Sequence, residues 1–180
     1  MIMYYNSDNV YQMKIYKDAH YSLKKCKLLF SLFFFLLMLI SCTPVARIID
    51  GDTILLANNE MIRYIGIDTP EAGEPFYADA RQLNGNLLKF KAISFEADVN
   101  DRDVYGRFLR YVFANTILVN AELVRRGYAF VYRRGKFPEH RYYEILEKAA
   151  DEAVRNRRGI WSVSHPHAKL RNVGDYYIPE

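Results

Sequence analysis

Residues 61–71 read Met-Ile-Arg-Tyr-Ile-Gly-Ile-Asp-Thr-Pro-Glu, and no other stretch of the chain says more about its architecture. The apolar residues of 61–67 predict a β-strand, which the Thr-Pro pair ends. Arg63 shares the alternation of Ile65 and Ile67, which we expect to face the core. An arginine there is costly unless it is paired or opens onto a site. Asp68 and Glu71 fall where the strand becomes a loop, so they are either site residues or ordinary surface acids.

Two further motifs flank this stretch. Residues 50–53, Asp-Gly-Asp-Thr, form a turn signal between predicted strands at 45–49 and 53–56. Asp-Gly is common in plain hairpins, but a carboxylate at a strand end is also a hard oxygen ligand of the kind that Ca²⁺ prefers. Residues 103–107, Asp-Val-Tyr-Gly-Arg, predict a tight turn that leaves Arg107 at the start of a strand.

The remaining strand patterns define the fold class. Residues 75–90 carry an apolar stripe with helical spacing, and strands are predicted over 93–99 and 108–114. Five short strands with a helix after the third, followed by two more helices, indicate an α+β domain. The leading model is a five-stranded OB-type barrel with three α-helices.

The last two helices have recognisable end signals. We expect Asn120 to cap a short helix that ends at Gly127. A second helix is predicted to begin near Pro138 and to end at Gly159, with Ile145 in its buried stripe.

Charge is unevenly distributed along the 180 residues, whose formal net charge is +4. Residues 43–101 carry 5 basic and 10 acidic groups, whereas residues 102–180 carry 15 basic and 9 acidic groups. An acidic half that holds a cation beside an arginine-rich half that meets phosphate would suit a polyanion substrate. A mixed solvated surface would give the same counts. The two cysteines, Cys26 and Cys42, precede the globular part, which therefore has no disulfide and no cysteine-based zinc site.

The N-terminus reads as a targeting segment. Three lysines at 24, 25 and 27 precede the apolar run 28–40, which as a helix spans about 20 Å and falls short of the hydrocarbon core. A charged region followed by such a run is typical of an export signal. Leu39-Ile40-Ser41-Cys42 resembles a bacterial lipobox, which predicts cleavage and a lipid on Cys42. The alternative is an uncleaved membrane anchor that extends to about Ala46. Either reading exports residues 43–180 from the cytoplasm, to the cell envelope or to the medium.

Taken together, the motifs at 50–53, 61–71 and 103–107 resemble the signature segments of the staphylococcal nuclease family, in order and at compatible spacing. The resemblance covers roughly residues 45–162, through the predicted 120–127 helix to the closing Gly-Ile-Trp-Ser at 159–162. It implies an OB-fold barrel with three helices and a nuclease that cuts DNA, RNA or both. We accordingly expect a signal segment at 1–42, a nuclease domain at 43–162 and a tail at 163–180, in a monomeric protein.

The resemblance also implies a Ca²⁺ site. Asp52 and Asp68 match the metal-binding carboxylates of the family, and Thr69 matches the position that ligates through its backbone carbonyl. Asp50 matches a nearby acid that supports the metal site without being a principal ligand.

The catalytic roles come from the same resemblance. Arg63 and Arg107 match two arginines that clamp the phosphate, and Glu71 matches the proposed general base that activates water. Tyr105 matches a tyrosine near the bound nucleotide. Guanidinium forks suit the charge that develops on phosphate oxygens, because they are planar and permanently charged.

Some residues depart from the family pattern. Val104 stands where well-studied members have a lysine that contacts a terminal phosphate, and the loop after Glu71 is short. The alternative function is a non-catalytic OB-fold module of the envelope that binds nucleic acid or a protein. Degenerate members usually lose the acids or arginines first, whereas this chain keeps all five: Asp52, Arg63, Asp68, Glu71 and Arg107.

Overall fold

A computed structural model describes residues 45–133, 141–163 and 175–179, together with Lys27 and Phe30. The chain divides into two units, Met1–Ser41 and Cys42–Glu180, and the fold below is that of the second. The predicted signal run at 28–40 (apart from Phe30), the lipobox cysteine Cys42 and the helix start near Pro138 lie outside the described residues. In the part of the chain that is described, no helix is long and apolar enough to cross a membrane.

Nine short strands and three α-helices make up the described part of this unit. The strands are β1 (Val45–Ile48), β2 (Thr53–Leu56), β3 (Met61–Tyr64), β4 (Ile67–Asp68), β5 (Ile93–Glu96), β6 (Phe108–Ala114), β7 (Ile117–Leu118), β8 (Phe130–Tyr132) and β9 (Tyr176–Tyr177). The helices are α1 (Tyr77–Leu88), α2 (Val119–Arg125) and α3 (Tyr143–Arg155), and a 3₁₀ turn follows at Gly159–Ser162.

The strands form two sheets. The larger has the order β1-β2-β3-β6-β5, with β7 paired to β6, and its β3–β6 pair is parallel. No pairing joins the outer strands β1 and β5 over the described residues, so the curled sheet is a half-barrel. The smaller sheet has the order β4-β8-β9. Three helices on a curled mixed sheet confirm the predicted α+β, OB-type fold.

The strand predicted over 61–67 is in fact two strands. Gly66 has a φ of +73°, a left-handed conformation that costs glycine little because it has no Cβ. The turn there ends β3 at Tyr64 and redirects the chain, so that β4 pairs with β8 in the other sheet. The strand predicted over 93–99 is likewise shorter and ends at Glu96.

Two expectations about the later helices were wrong. Asn120 does not cap α2; it lies within the helix, fully buried, and donates from Nδ2 to the Ile65 carbonyl while its Oδ1 accepts from the Val112 backbone N–H. Ile145 is 44% exposed, whereas Leu146 on the same turn of α3 is buried. For Asn120, the two hydrogen bonds inside the core therefore outweighed its preference for a helix N-terminus.

One hydrophobic core joins the sheet to the helices. It includes Ile54 and Ile62 of the half-barrel, Leu123 of α2 and Leu146 of α3, all at most 2% exposed. The core packs the helices behind the strands, so that the turns at the strand ends are free to carry polar side chains.

Candidate active site

Asp52 is the buried anchor of the site. It is 4% exposed, and its Oδ2 accepts hydrogen bonds from the backbone N–H and the hydroxyl of Thr69, at 2.9 and 3.1 Å. The Thr53 hydroxyl donates to Oδ1 at 3.0 Å. These bonds fix the carboxylate orientation and join the first turn of the site to the loop after β4.

Gly51 permits this close approach. A Cβ at Gly51 would lie 2.7 Å from Thr69 Cγ2 and 2.8 Å from Ala80 Cβ, closer than side-chain carbons approach one another. The glycine in the Asp-Gly-Asp turn is therefore required by packing between the turn, the Thr69 loop and α1.

Arg63 connects the two sides of the site. Its Nη1 donates to the carbonyls of Tyr64 and Ile67, at 2.9 and 2.7 Å, and lies 3.2 Å from Asp52 Oδ2. Its Nη2 donates to Asp68 Oδ1 at 2.8 Å. Burial acts to lower the pKa of Arg63, but Asp52 and Asp68 outweigh it and raise the pKa. The guanidinium is thus a fixed positive charge between two carboxylates.

The strand face of Arg63 differs from the one that we expected. Ile62 and Tyr64 face the core, and Arg63 lies on the opposite face of β3, where it lines a cavity. The turn at Gly66 interrupts the alternation of side chains between the two faces. Arg63 and Ile67 therefore do not lie on the same face, although an even number of residues separates them. The expectation that this arginine must be paired or open onto a site agrees with the structure.

Asp50 and Asp68 are both acids in partly buried positions. Asp50 Oδ1 accepts from the Asp52 backbone N–H at 3.0 Å, and the Asp50 carbonyl accepts from Asn84 of α1. Burial, together with the nearby charge of Asp52, raises the pKa of Asp50 to about 6. Burial also raises the pKa of Asp68, although Arg63 acts in the opposite direction. Negative charge is therefore crowded here, and a cation would relieve that crowding.

The donor set fits a hard cation. Asp52 and Asp68 both pair with one cationic group, Arg63. Carboxylates and a backbone carbonyl, such as that of Thr69, are the ligands that Ca²⁺ prefers. Over the described residues no three Asp, Glu, His or Cys side chains converge.

Glu71 lies on the exposed loop after Thr69 and Pro70. Its backbone N–H donates to Glu74 Oε2 at 2.8 Å, which holds the loop in a tight turn. Its charge contributes to the pKa of both Arg63 and Asp68, so it lies within electrostatic reach of the site. The side chain is in contact with water, as a residue that takes a proton from water must be.

Arg107 and Tyr105 come from the turn before β6. Arg107 Nε donates to Asp103 Oδ2 at 2.7 Å, and its guanidinium carbon lies 5.6 Å from the centre of the Tyr105 ring. Tyr105 is 81% exposed, and its neighbour Val104 is 93% exposed. The parallel β3–β6 pair places Arg63 opposite Leu109, which brings the two arginines to the same end of the sheet.

A cavity of about 470 Å³ connects these groups. Its polar and aromatic lining includes Arg63, Asp68, Asp103, Tyr105, Arg107, Tyr132 and Tyr176. The predicted residues Asp50, Asp52, Thr69 and Glu71 do not line it; of these, Asp52 contacts Arg63, and Thr69 contacts Asp52. The two arginines of this lining can together hold a phosphodiester.

Sequence reasoning missed three residues of this site. Asn84 accepts a hydrogen bond from the Tyr64 hydroxyl at 2.8 Å and donates to the Asp50 carbonyl, yet a lone asparagine within a helix gives no such signal. Asp103 pairs with Arg107; its position in the 103–107 motif was a signal that we did not use. Tyr176 donates to Asp68 Oδ2 at 2.7 Å, from a strand too short to show any pattern.

Comparison with known proteins is consistent with this geometry. Residues 61–163 match the family model described as "Staphylococcal nuclease homologue". The chain is 33% identical over 129 residues to a thermonuclease of Staphylococcus hyicus, covering 66% of this chain and 74% of that protein. It is 34% identical over 128 residues to a thermonuclease of Staphylococcus intermedius, covering 65% of this chain and 74% of that one. Endonuclease YncB of Bacillus subtilis (strain 168) is 34% identical over 131 residues, which span 66% of this chain and 60% of the relative.

Proposed function

Because this chain belongs to the staphylococcal nuclease family and is a nuclease, we propose that it hydrolyses phosphodiester bonds of DNA, RNA or both with Ca²⁺ as cofactor. The observation that supports this most strongly is the arrangement of Arg63, which bridges Asp52 and Asp68 and faces the same cavity as Arg107. Acids for a cation and two guanidinium groups for a phosphate meet at one end of the half-barrel.

Asp52, Asp68 and the carbonyl of Thr69 would hold the ion. When bound, Ca²⁺ supplies positive charge that stabilises the charge developing on phosphate oxygens. Asp52 is already oriented by Thr53 and Thr69, so it loses little freedom on binding. Asp50 accepts a hydrogen bond from the Asp52 backbone N–H and would not itself bind the ion.

The arginines bind and orient the phosphate. Two backbone carbonyls hold Nη1 of Arg63, and this group can exchange a carboxylate partner for phosphate oxygens without moving its stem. Arg107 reaches the same cavity from the turn before β6, where Asp103 holds it. Charge-assisted bonds from two guanidinium groups stabilise the transition state more than the substrate, because charge on the oxygens increases there.

Glu71 takes a proton from the attacking water. Its exposed loop position gives it access to solvent, and its charge acts on Arg63 and Asp68. Tyr105 offers an exposed aromatic face for a nucleotide at the cavity mouth.

The test is cleavage of single-stranded DNA and of RNA by the full-length protein, with Ca²⁺ and then with excess chelator. Glu71→Gln is expected to lower kcat by about 100-fold or more, whereas Glu60→Gln, a half-buried acid on the β2–β3 turn that does not line the cavity, is the matched control. A folded protein that binds DNA but never cuts it with Ca²⁺ would support the binding-module alternative instead.

Delivery outside the cytoplasm is a second part of the proposal, and it rests on the sequence of residues 24–42. In a bacterial host, labelling with radioactive palmitate is expected in wild type and in Cys26→Ser, and to be lost in Cys42→Ser. Equal labelling of the two variants would contradict a lipid on Cys42. Protease treatment of intact cells tests the export itself.

A further inference from the structure

The C-terminal strand β9 lies beyond residues 61–163, the part matched by the family model, yet it reaches the site. It pairs with β8 in antiparallel register, Val131 with Tyr177 and Tyr132 with Tyr176. The two tyrosines of β9 therefore point to opposite faces of the small sheet. Their hydroxyl groups have separate partners.

Tyr176 faces the site. Its hydroxyl donates to Asp68 Oδ2 at 2.7 Å, and its ring packs edge-on against Phe130 and Tyr132, with centroids 5.9 and 5.3 Å apart. It also lines the cavity beside Arg63. Tyr177 faces away from the site, and its hydroxyl donates to Asp151 Oδ1 of α3 at 2.9 Å.

The two oxygens of Asp68 have different donors. Oδ1 accepts from Arg63 and Oδ2 accepts from Tyr176, so the plane of the carboxylate is fixed from both sides. A carboxylate oxygen has two lone pairs, and each of these oxygens keeps one for a cation. Groups that orient a ligand in this way tune metal affinity without touching the metal.

We propose that Tyr176 is a positioning residue of the nuclease site, which orients Asp68 for the cation, and that the functional domain therefore extends through β9. This inference rests on the proposed function. Packing alone does not account for the tyrosine, because a phenylalanine would keep both ring contacts. Only the hydroxyl reaches Asp68.

The test compares Tyr176→Phe with Tyr177→Phe in the full-length protein. Each variant removes one hydroxyl from the same strand, but only the first removes a donor to Asp68. Calcium affinity, measured directly by calorimetry, is expected to fall on the order of 10-fold in Tyr176→Phe and to stay at the wild-type value in Tyr177→Phe. The Ca²⁺ concentration that half-activates DNA cleavage should rise by the same factor, with KM for DNA little changed.

Unchanged or tighter calcium binding by Tyr176→Phe would overturn the inference, since the hydroxyl would then be neutral or a competitor. Wild-type protein that neither binds Ca²⁺ nor cuts would instead refute the proposed function. In that case the carboxyl ¹³C resonance of Asp68, assigned with Asp68→Asn, still tests the positioning role without metal. This resonance is expected to shift in Tyr176→Phe and not in Tyr177→Phe. An unchanged resonance in Tyr176→Phe would overturn the inference.

Discussion

Asp103 holds Arg107 through both of its carboxylate oxygens. Oδ2 accepts from Arg107 Nε at 2.7 Å, and Oδ1 accepts from the Arg107 backbone N–H at 3.0 Å. Burial acts to raise the pKa of Asp103, but the hydrogen bonds from Arg107 outweigh it and lower the pKa. The loop thus presents Arg107 to the cavity in one orientation.

Asp103→Asn keeps an oxygen for the backbone donors but removes the charge that holds Nε. We expect kcat/KM for DNA to fall about 10-fold, because a less ordered guanidinium stabilises the transition state less well. Asp101→Asn, which removes the partner of Arg110 outside the cavity, is the control and should leave kcat/KM unchanged. A rise in kcat/KM for Asp103→Asn would mean that the ion pair restrains Arg107 from the phosphate.

Replacing Arg63 leaves two acids without their shared partner. Arg63→Gln is expected to lower the free energy of unfolding by about 3 kcal/mol without calcium, because Asp52 is buried and uncompensated. Added Ca²⁺ should restore more stability to this variant than to wild type, since the ion takes over the charge. Urea denaturation with and without Ca²⁺ measures both effects. Arg110→Gln, whose partner Asp101 is exposed, should cost no more than about 1 kcal/mol.

Two glycine replacements should change the stability of the protein in opposite directions. Gly51→Ala would force its new methyl group against Thr69 and Ala80, so we expect a loss of about 1–3 kcal/mol in stability and weaker activation by calcium. Gly85→Ala, within α1, meets Ile48 Cγ1 at an ordinary 3.6 Å. It should stabilise the protein by about 0.5–1 kcal/mol. Thermal unfolding of the two variants measures both effects. Equal shifts in Tm would show that the packing at Gly51 is loose.

Glu122 gives a pH-dependent contribution to stability. Burial acts to raise the pKa of Glu122, but hydrogen bonds from Arg126 and Arg125 outweigh it and lower the pKa below its ordinary value of 4.5. A pKa lower in the folded than in the unfolded state stabilises the protein above the unfolded pKa, and the contribution is lost as the pH falls through the folded pKa. The stability difference between wild type and Glu122→Gln should therefore be largest near neutral pH and disappear in acid. Glu144→Gln, at an exposed ion pair, should show little difference at any pH.

Asn120 ties the β3–β4 junction to β6 through two buried hydrogen bonds. Asn120→Ala leaves the Ile65 carbonyl and the Val112 N–H without this partner, and we expect a loss of about 2–4 kcal/mol. Chemical denaturation measures the loss. A much smaller value would mean that water replaces the side chain.

Much of the fold and of the site could be predicted from the sequence, because the informative patterns lie within short stretches of the chain. Asp50 and Asp52 lie in the turn before β2, and Asp68 ends β4 just before the loop that carries Glu71. These strand ends are visible in the sequence as a change from apolar to polar residues. The expected roles of these residues remain predictions, but the structure brings Asp52, Arg63 and Asp68 together as the motifs imply.

What could not be predicted depends on contacts between distant segments. The break at Gly66 follows from pairing with β8, and the core position of Asn120 follows from a carbonyl 55 residues away in sequence. Tyr176 reaches Asp68 from a two-residue strand, too short for any periodicity. The strand pattern predicted the OB-type barrel, whereas its form as a half-barrel depends on where β1 and β5 lie.

The parallel pairing of β3 with β6 has a consequence for the order of folding. Asp52 and Arg63 lie at the neighbouring paired strands β2 and β3 and can come together from nearby segments of chain. Arg107 joins them only when β6 docks against β3 across the intervening α1 and β5, a non-local closure that is slow to form. We therefore expect a refolding chain to form the Asp52–Arg63 ion pair before it gains the ability to cut. Pairing of β3 with β6 is therefore a late step in forming the active enzyme.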